Sequence, residues 1–246
     1  MENVNLTFSL EQIKNKDTLN VFSDASMRKS NDGTFAGCYY AVAVCGDDIL
    51  DNKYGFNSDS TVNACEIRGI RNSIILAMKY RYQFPYINIF CDSQVSVFGL
   101  RDYLPNWFFD QETGLLYNST KQPVANQSVF VECNTFLTNL RMTNIVNLYH
   151  QSGHVKNGYE CIEKAANIFK RSNRIPGVVD LNLIRYISLY NNYVDRVSRS
   201  ILRRTNIFDN NFIDPVEFSW KKDGGTNNEE WSNLSSIFWW KSIKKR

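Results

Sequence analysis

The sequence predicts an α/β fold, a five-stranded mixed sheet with three antiparallel strands followed by parallel ones, flanked by helices. Three observations predict it. Three short apolar runs follow one another across turn-forming residues between positions 19 and 56, the pattern of an antiparallel meander. From Asn63 onward the apolar period becomes helical. Helical stretches then alternate with two further short strands, an order that builds a mixed sheet covered by helices.

Residues 1–18 are read as an N-terminal arm, because the first sixteen are polar, of mixed charge and without pattern. Residues 19–23 form the first strand, which ends at Asp24. Asn31-Asp32-Gly33 is turn chemistry. Residues 34–45 make a largely buried second strand, and Gly46-Asp47-Asp48 turns the chain into a third, 49–56. Within 63–82, Ile67, Ile70, Ile74, Ile75 and Met78 recur at helical spacing, with Asn63 as N-cap and Glu66 three residues later. Residues 86–91 form a buried fourth strand ending at Asp92. A helix over 94–104 stops near Pro105, 114–124 is loop, 128–140 is helix and 145–149 is the fifth strand. Two helices, about 159–170 and 181–203, complete a domain spanning 19–205. Residues 206–246 are a C-terminal extension, joined through a polar segment containing Gly224-Gly225. Its Trp231, Phe238, Trp239 and Trp240 lie among Lys241, Lys244, Lys245 and Arg246. That mixture reads more readily as a terminal helix docked on the core than as a nucleic-acid contact.

Composition bounds the function. A hydrophobic fraction of 43% and a charged fraction of 22% are those of an ordinary soluble protein. A chain of 246 residues buries roughly 70–75% of the surface its unfolded form exposes and needs no disulfide to fold. The net charge of +3 and pI near 8.4 require any nucleic-acid contact to come from local patches. The six cysteines, at 38, 45, 65, 91, 133 and 161, lack the short spacings of zinc or redox motifs. They point to a reduced compartment. No apolar run is long enough to cross a bilayer, so a cytoplasmic protein without a membrane partner is expected. The sequence leaves protein partners and oligomeric state undefined.

Three acids occupy telling places: Asp24 and Asp92 at strand ends, Glu66 in the first turn of the intervening helix. The first and fourth strands can be neighbours in a mixed sheet, and a helix on that sheet can aim Glu66 at the same spot. Converging carboxylates repel unless protonated or bridged by cations. Hard oxygen ligands suit Mg²⁺ or Mn²⁺, and two such ions about 3.5–4 Å apart can drive phosphodiester hydrolysis.

The residues around these acids resemble the type 1, bacterial-type ribonuclease H family. Phe22-Ser23-Asp24-Ala25-Ser26 is similar to its first catalytic strand. Thr61-Val62-Asn63-Ala64-Cys65-Glu66 is similar to its Thr-Asn-Asn-x-x-Glu helix start, with Val62 in place of the first Asn. Asp92-Ser93-Gln94, Pro123-Val124-Ala125-Asn126, Gly153-His154 and Asn191-Asn192-Tyr193-Val194-Asp195 match further motifs in the right order. The resemblance covers about 19–205. It implies a ribonuclease H-like fold and cleavage of the RNA strand of an RNA–DNA hybrid with two Mg²⁺ or Mn²⁺ ions. It further implies that Asp24, Glu66, Asp92 and Asp195 are the metal-holding catalytic acids. His154 becomes a proton-moving residue on a loop, with His150 as the other histidine able to take that role. Ser26, Asn63, Ser93 and Gln94 become substrate-binding residues, Asn63 and Gln94 in the hybrid's minor groove. The same fold also serves DNA-acting nucleases and integrases, and non-catalytic binding modules.

Two departures from the family pattern stand out. A helical insertion, about 159–190, precedes Asp195, either as a cap over the site or as a helix packed on one face. After Asn106-Trp107, where bacterial relatives carry a basic protrusion, the chain reads Phe108-Phe109-Asp110-Gln111-Glu112. Phosphate contacts would then fall to Arg196, Arg199, Arg203 and Arg204, unless these form a solvated helix face.

Overall fold

The computed structural model describes residues 7–29, 35–58, 61–156 and 158–204. Residues 206–246, read above as a C-terminal extension, lie outside the described residues, as does the Asn31-Asp32-Gly33 turn.

The meander forms first along the chain. β2 (Thr18–Lys29) pairs antiparallel with β3 (Phe35–Cys45), which pairs antiparallel with β4 (Asp48–Ser58). Gly46, at φ +59°, takes the first position of the two-residue loop between β3 and β4, where a positive φ suits the right-handed twist of a hairpin. Helix α2 (Val62–Tyr80) then crosses over to β5 (Tyr86–Cys91), which runs parallel to β2, and β8 (Ile145–His150) runs parallel to β5. The order across the sheet is β4-β3-β2-β5-β8.

β2 is buried on both faces from Thr18 to Asp24 because helices cover both. On one face Leu19, Val21, Ile87 and Ile89 meet Ile67, Ile70 and Ile74 of α2, backed by Phe130, Cys133 and Leu137 of α4 (Gln127–Arg141). On the other, aromatic rings in register on three parallel strands form a ladder. Phe22 stacks on Phe90 at 4.9 Å, Phe90 on Tyr149 at 5.3 Å, and Tyr190 of α6 (Leu181–Arg204) on Phe22 at 4.9 Å. Such pairs add ~0.5–1.5 kcal/mol each beyond area burial. The run of β2 therefore faces α6 with Phe22, Asp24 and Ser26 in turn, a period of two.

The structure revises several expectations. The described part of the segment read as an N-terminal arm, from Thr7 on, belongs to the fold. β1 (Thr7–Phe8) pairs with β9 (Val178–Val179), and α1 (Leu10–Ile13) buries Ile13. The Ile13 carbonyl accepts from Asn20, whose side chain accepts from Asn88, which in turn accepts from Asn147. This asparagine ladder fastens the segment to three strands in register. Asp24 lies within β2 rather than at its end, because β2 continues along β3 after its pairing with β5 stops at Ser23. The N-cap of α2 is Thr61, which accepts from the Ala64 N–H, so Asn63 sits inside the first turn instead. The helix expected over 94–104 is α3 (Gln94–Phe98) followed by a wide π-turn, Gly99–Tyr103, and a 3₁₀ turn containing Pro105. The stretch expected as loop contains β7 (Leu115–Tyr117), which forms a hairpin with β6 (Phe108–Asp110).

The inserted helix α5 (Tyr159–Ser172) is not a cap over the acids. It packs on β8 and α6, with Phe169 against Tyr149 at 5.7 Å. Just beyond it, Asn173 accepts from the His150 N–H at 2.9 Å and donates to the His150 carbonyl at 2.7 Å. Asn173 thus satisfies backbone groups at the end of an edge strand that water or another chain would otherwise seek. No helix of the described residues is long and apolar enough to cross a membrane.

Candidate active site

Parallel pairing of β2 and β5 ends at Ser23 opposite Cys91, so the next residues, Asp24 and Asp92, stand side by side where the strands part. Asp24 faces α6, one alternation beyond Phe22, near enough to Asp195 of that helix for the two carboxyls to interact. One step further along, the hydroxyls of Ser26 and Ser198 meet at 2.7 Å. Glu66 reaches the group from α2, accepting a 3.9 Å contact from the buried Cys91 thiol, and ligand atoms of Glu66, Cys91 and Asp92 lie within 4.8 Å of one another. The four acids predicted from sequence are therefore brought together, with Asp24, Glu66 and Asp195 at 5%, 8% and 7% exposure.

So much confined negative charge is expensive. Burial, then the charges of Asp92 and Asp195, push the Asp24 carboxyl from an ordinary 3.8 up to about 8. Burial, then Asp24 and Asp92, hold Glu66 well above its ordinary range. Asp92 is raised as well, by burial chiefly, against a hydrogen bond from Asn191 and the nearby His154. Clustered acids in this condition favour either shared protons or a cation.

Positioning groups complete the geometry. Asn191 donates to Asp92 at 3.3 Å and accepts from Gln151 at 2.6 Å, while Gln151 donates its backbone N–H to the Cys91 carbonyl. Gly153 lies so close that a Cβ there would collide with Asp92 Oδ2. Sequence reasoning missed Gln151 as an orienting group. It also read Cys91 only as the last residue of a buried strand and Gly153 only as half of a two-residue motif. The thiol of Cys91 is pushed well up by burial, so it stays a donor to Glu66, and the oxygen-only donor set suits a hard cation.

The other candidates divide. His154, at φ +51°, holds Nδ1 3.6 Å from Asp195 Oδ2 with its side chain 67% exposed, at the rim of the cluster. His150 is buried instead, its Nε2 3.2 Å from the Asp92 carbonyl oxygen, and burial lowers its pKa. Asn63 and Gln94 are exposed on helix starts either side of the acids. Ser93 caps α3, accepting from Ser96 N–H and donating to the Ser96 hydroxyl. Ser26 is buried against Ser198 and ties β2 to α6. Arg199, considered above for phosphate, clasps both oxygens of Asp195 through a 2.7 Å Nε bond and a second guanidinium contact.

A meander of three antiparallel strands, with two parallel strands added beyond the first and helices on both faces, is the sheet order of a ribonuclease H-like fold. The fold is ribonuclease H-like. No protein-family model and no curated protein matches the sequence. Among solved structures, the PFV ribonuclease H domain is 19% identical with a TM-score of 0.46, covering 66% of this chain and 96% of its own. A foamy viral protease-reverse transcriptase in complex with RNA/DNA hybrid is 14% identical with a TM-score of 0.45, over 71% of this chain and 22% of that one. Ribonuclease H1 from the halophilic archaeon Halobacterium salinarum NRC-1 is 16% identical with a TM-score of 0.37, over 62% and 93%.

Proposed function

We propose that this ribonuclease H-fold chain is a metal-dependent endonuclease that hydrolyses the RNA strand of RNA–DNA hybrids. The observation that carries the reading is the meeting of Asp24, Glu66, Asp92 and Asp195 in one group, where burial and mutual charge raise the carboxyl pKa values of Asp24, Glu66 and Asp92. A structural role for such charge is costly, because buried carboxylates set against one another weaken a fold. These four side chains would hold two Mg²⁺ or Mn²⁺ ions. When bound, such cations offset charge on the reacting phosphate and lower the pKa of an attacking water.

The remaining roles belong to the chain's own groups. Asn191 and Gln151 aim Asp92. Arg199 holds Asp195 in place from the next helical turn. Asn63 and Gln94, exposed on either side, are positioned to read the minor groove of a hybrid, where 2′-hydroxyls and base edges are displayed. His154 moves a proton at the solvent side of the site. Replacing it, His154→Ala, is expected to lower kcat about 10²-fold while leaving Mn²⁺ affinity intact. Steady-state rates equal to the parent's would remove the imidazole from the mechanism.

Cleavage of a labelled hybrid, run beside duplex DNA and duplex RNA of the same sequence, tests the function. Cutting confined to the RNA strand of the hybrid, present with Mg²⁺ or Mn²⁺ and absent with chelator, is the expected result. One observation favours a second reading. Residues 107–120 contain no Lys or Arg, so the hairpin offers no cationic grip on the DNA strand of a hybrid. Equal cutting of duplex DNA would select a DNA-acting nuclease built on the same acids.

A further inference from the structure

A cleft of 580 Å³ opens between the π-turn after α3 and the C-terminal end of α5. Its walls include Gln94, Arg101, Asp102, Tyr103, Arg171 and Arg174. It lies at the carboxyl end of the sheet, since Gln94 follows Asp92 closely and Asn173, between two of these arginines, is bonded to His150 at the end of β8.

The three guanidinium groups are not equivalent. Arg101 is structural: it donates to Asp102, to the Leu148 and Ser172 carbonyls and to Asn173. Asp102, the one acid of the lining, is thereby already paired. Arg174 approaches the same carboxylate at 3.4 Å with its own side chain 77% exposed, a contact of little worth in water. Among the described residues, Arg171 reaches only the Asn167 carbonyl of its own helix, at 3.3 Å. Three cations against one anion leave the cleft positively charged.

Arg174 also stands where an arginine is disfavoured. It follows α5 at φ +53°, the left-handed position that glycine or asparagine usually fills after a helix. A non-glycine residue there carries backbone strain, and the exposed contact with Asp102 does little to offset it. Tyr103, which lines the same cleft as the three arginines, is 53% exposed; an open ring among cations is the composition that binds single strands through backbone charge and base stacking.

We infer that this cleft binds the phosphates of a single-stranded nucleic-acid segment extending past the carboxylates, with Arg171 and Arg174 on phosphate and Tyr103 under a base. The identity of that strand, as an extension of the substrate, rests on the nuclease reading above; the binding itself does not.

The test uses the full chain in chelator, titrated with labelled RNA and DNA single strands of about a dozen nucleotides, at salt from about 50 to 200 mM. The double substitution Arg171→Gln with Arg174→Gly is expected to weaken binding of at least one strand about tenfold. It should also lower the slope of log affinity on log salt by about 1.4, the loss of two phosphate contacts at ~0.7 each. Because glycine is favoured at positive φ, Arg174→Gly alone should keep Tm at or above the parent's while binding falls, which a merely structural role would not produce. If the parent binds neither strand, or the double variant binds both with unchanged affinity and slope, the proposal is overturned. Hybrid cleavage by the parent is scored separately. A protein that binds strands through these arginines yet cuts no hybrid would refute the nuclease reading and leave the cleft standing.

Discussion

Asp24→Asn is expected to reduce phosphodiester cleavage on the order of 10³-fold, the scale of losing a group that stabilises transition-state charge, and at the same time to raise the Tm of the metal-free protein. The two effects have one cause. Asp24 is buried beside Asp92 and Asp195, which raise its pKa to about 8. A folded-state pKa above the unfolded value means the folded state holds a proton that the unfolded state has released. Stability is then complete below about pH 4, declines as pH rises, and is lost through about pH 8. Glu66 and Asp92 are raised in the same direction and contribute with the same sign. Asparagine keeps the shape of the side chain and the acceptor for the Ala25 N–H, which Asp24 Oδ1 receives at 2.7 Å, but carries no charge to bury. Thermal unfolding in chelator across pH 5 to 9 should therefore show a falling Tm for the parent and a flatter, higher curve for the variant. A variant less stable than the parent at pH 8 would mean that the acids are not strained against one another. Gain of stability on loss of activity is the usual signature of a site whose charge serves chemistry instead of folding.

Gly153→Ala is expected to cost about 10²-fold in kcat and ~1–3 kcal/mol in stability. An added Cβ at this position would overlap Asp92 Oδ2. The carboxylate is held from its other side by Asn191 and, through it, by Gln151, so it has nowhere to relax without breaking that relay. Displacement of Asp92 by about 1 Å is enough for the stated loss. Kinetic assay beside denaturant unfolding checks both numbers, and near-parent values in both would show that the loop carrying Gly153 and His154 yields freely. The strain differs in kind from that of Arg174: it arises from a close approach, not from backbone dihedrals.

Much of the sheet was legible because its signals are local. The apolar runs that became β2, β3, β4, β5 and β8, and the isoleucine spacing of α2, follow directly from burial on one or both faces. Asp24, Glu66 and Asp92 could be singled out from their places at element ends, and Asp195 only through the family resemblance, since nothing in a helical Asn-Tyr-Val-Asp run marks one acid as special. What escaped depends on contacts distant in sequence. The Asn20–Asn88–Asn147 ladder that secures the N-terminal segment joins residues on three strands, and none of the three stands out in its own window. Thr61 and Asn63 are both good capping residues, and the sequence alone does not choose between them. The role of Asn173 at the sheet edge and the pairing of Arg199 with Asp195 likewise need the third dimension. The hairpin at Phe108–Asp110 was hidden because strands of three residues carry almost no periodicity.

The central claim is that four acids distant along the chain form one binding site for divalent cations. Titration of the metal-free protein with Mn²⁺, followed by the loss of free-ion electron paramagnetic resonance signal, tests it without reference to any substrate. Uptake of two Mn²⁺ ions by the parent, with weakened and reduced uptake by Asp24→Asn, is the predicted result. Absence of uptake by the parent, or equal uptake by the parent and Asp24→Asn, would contradict it.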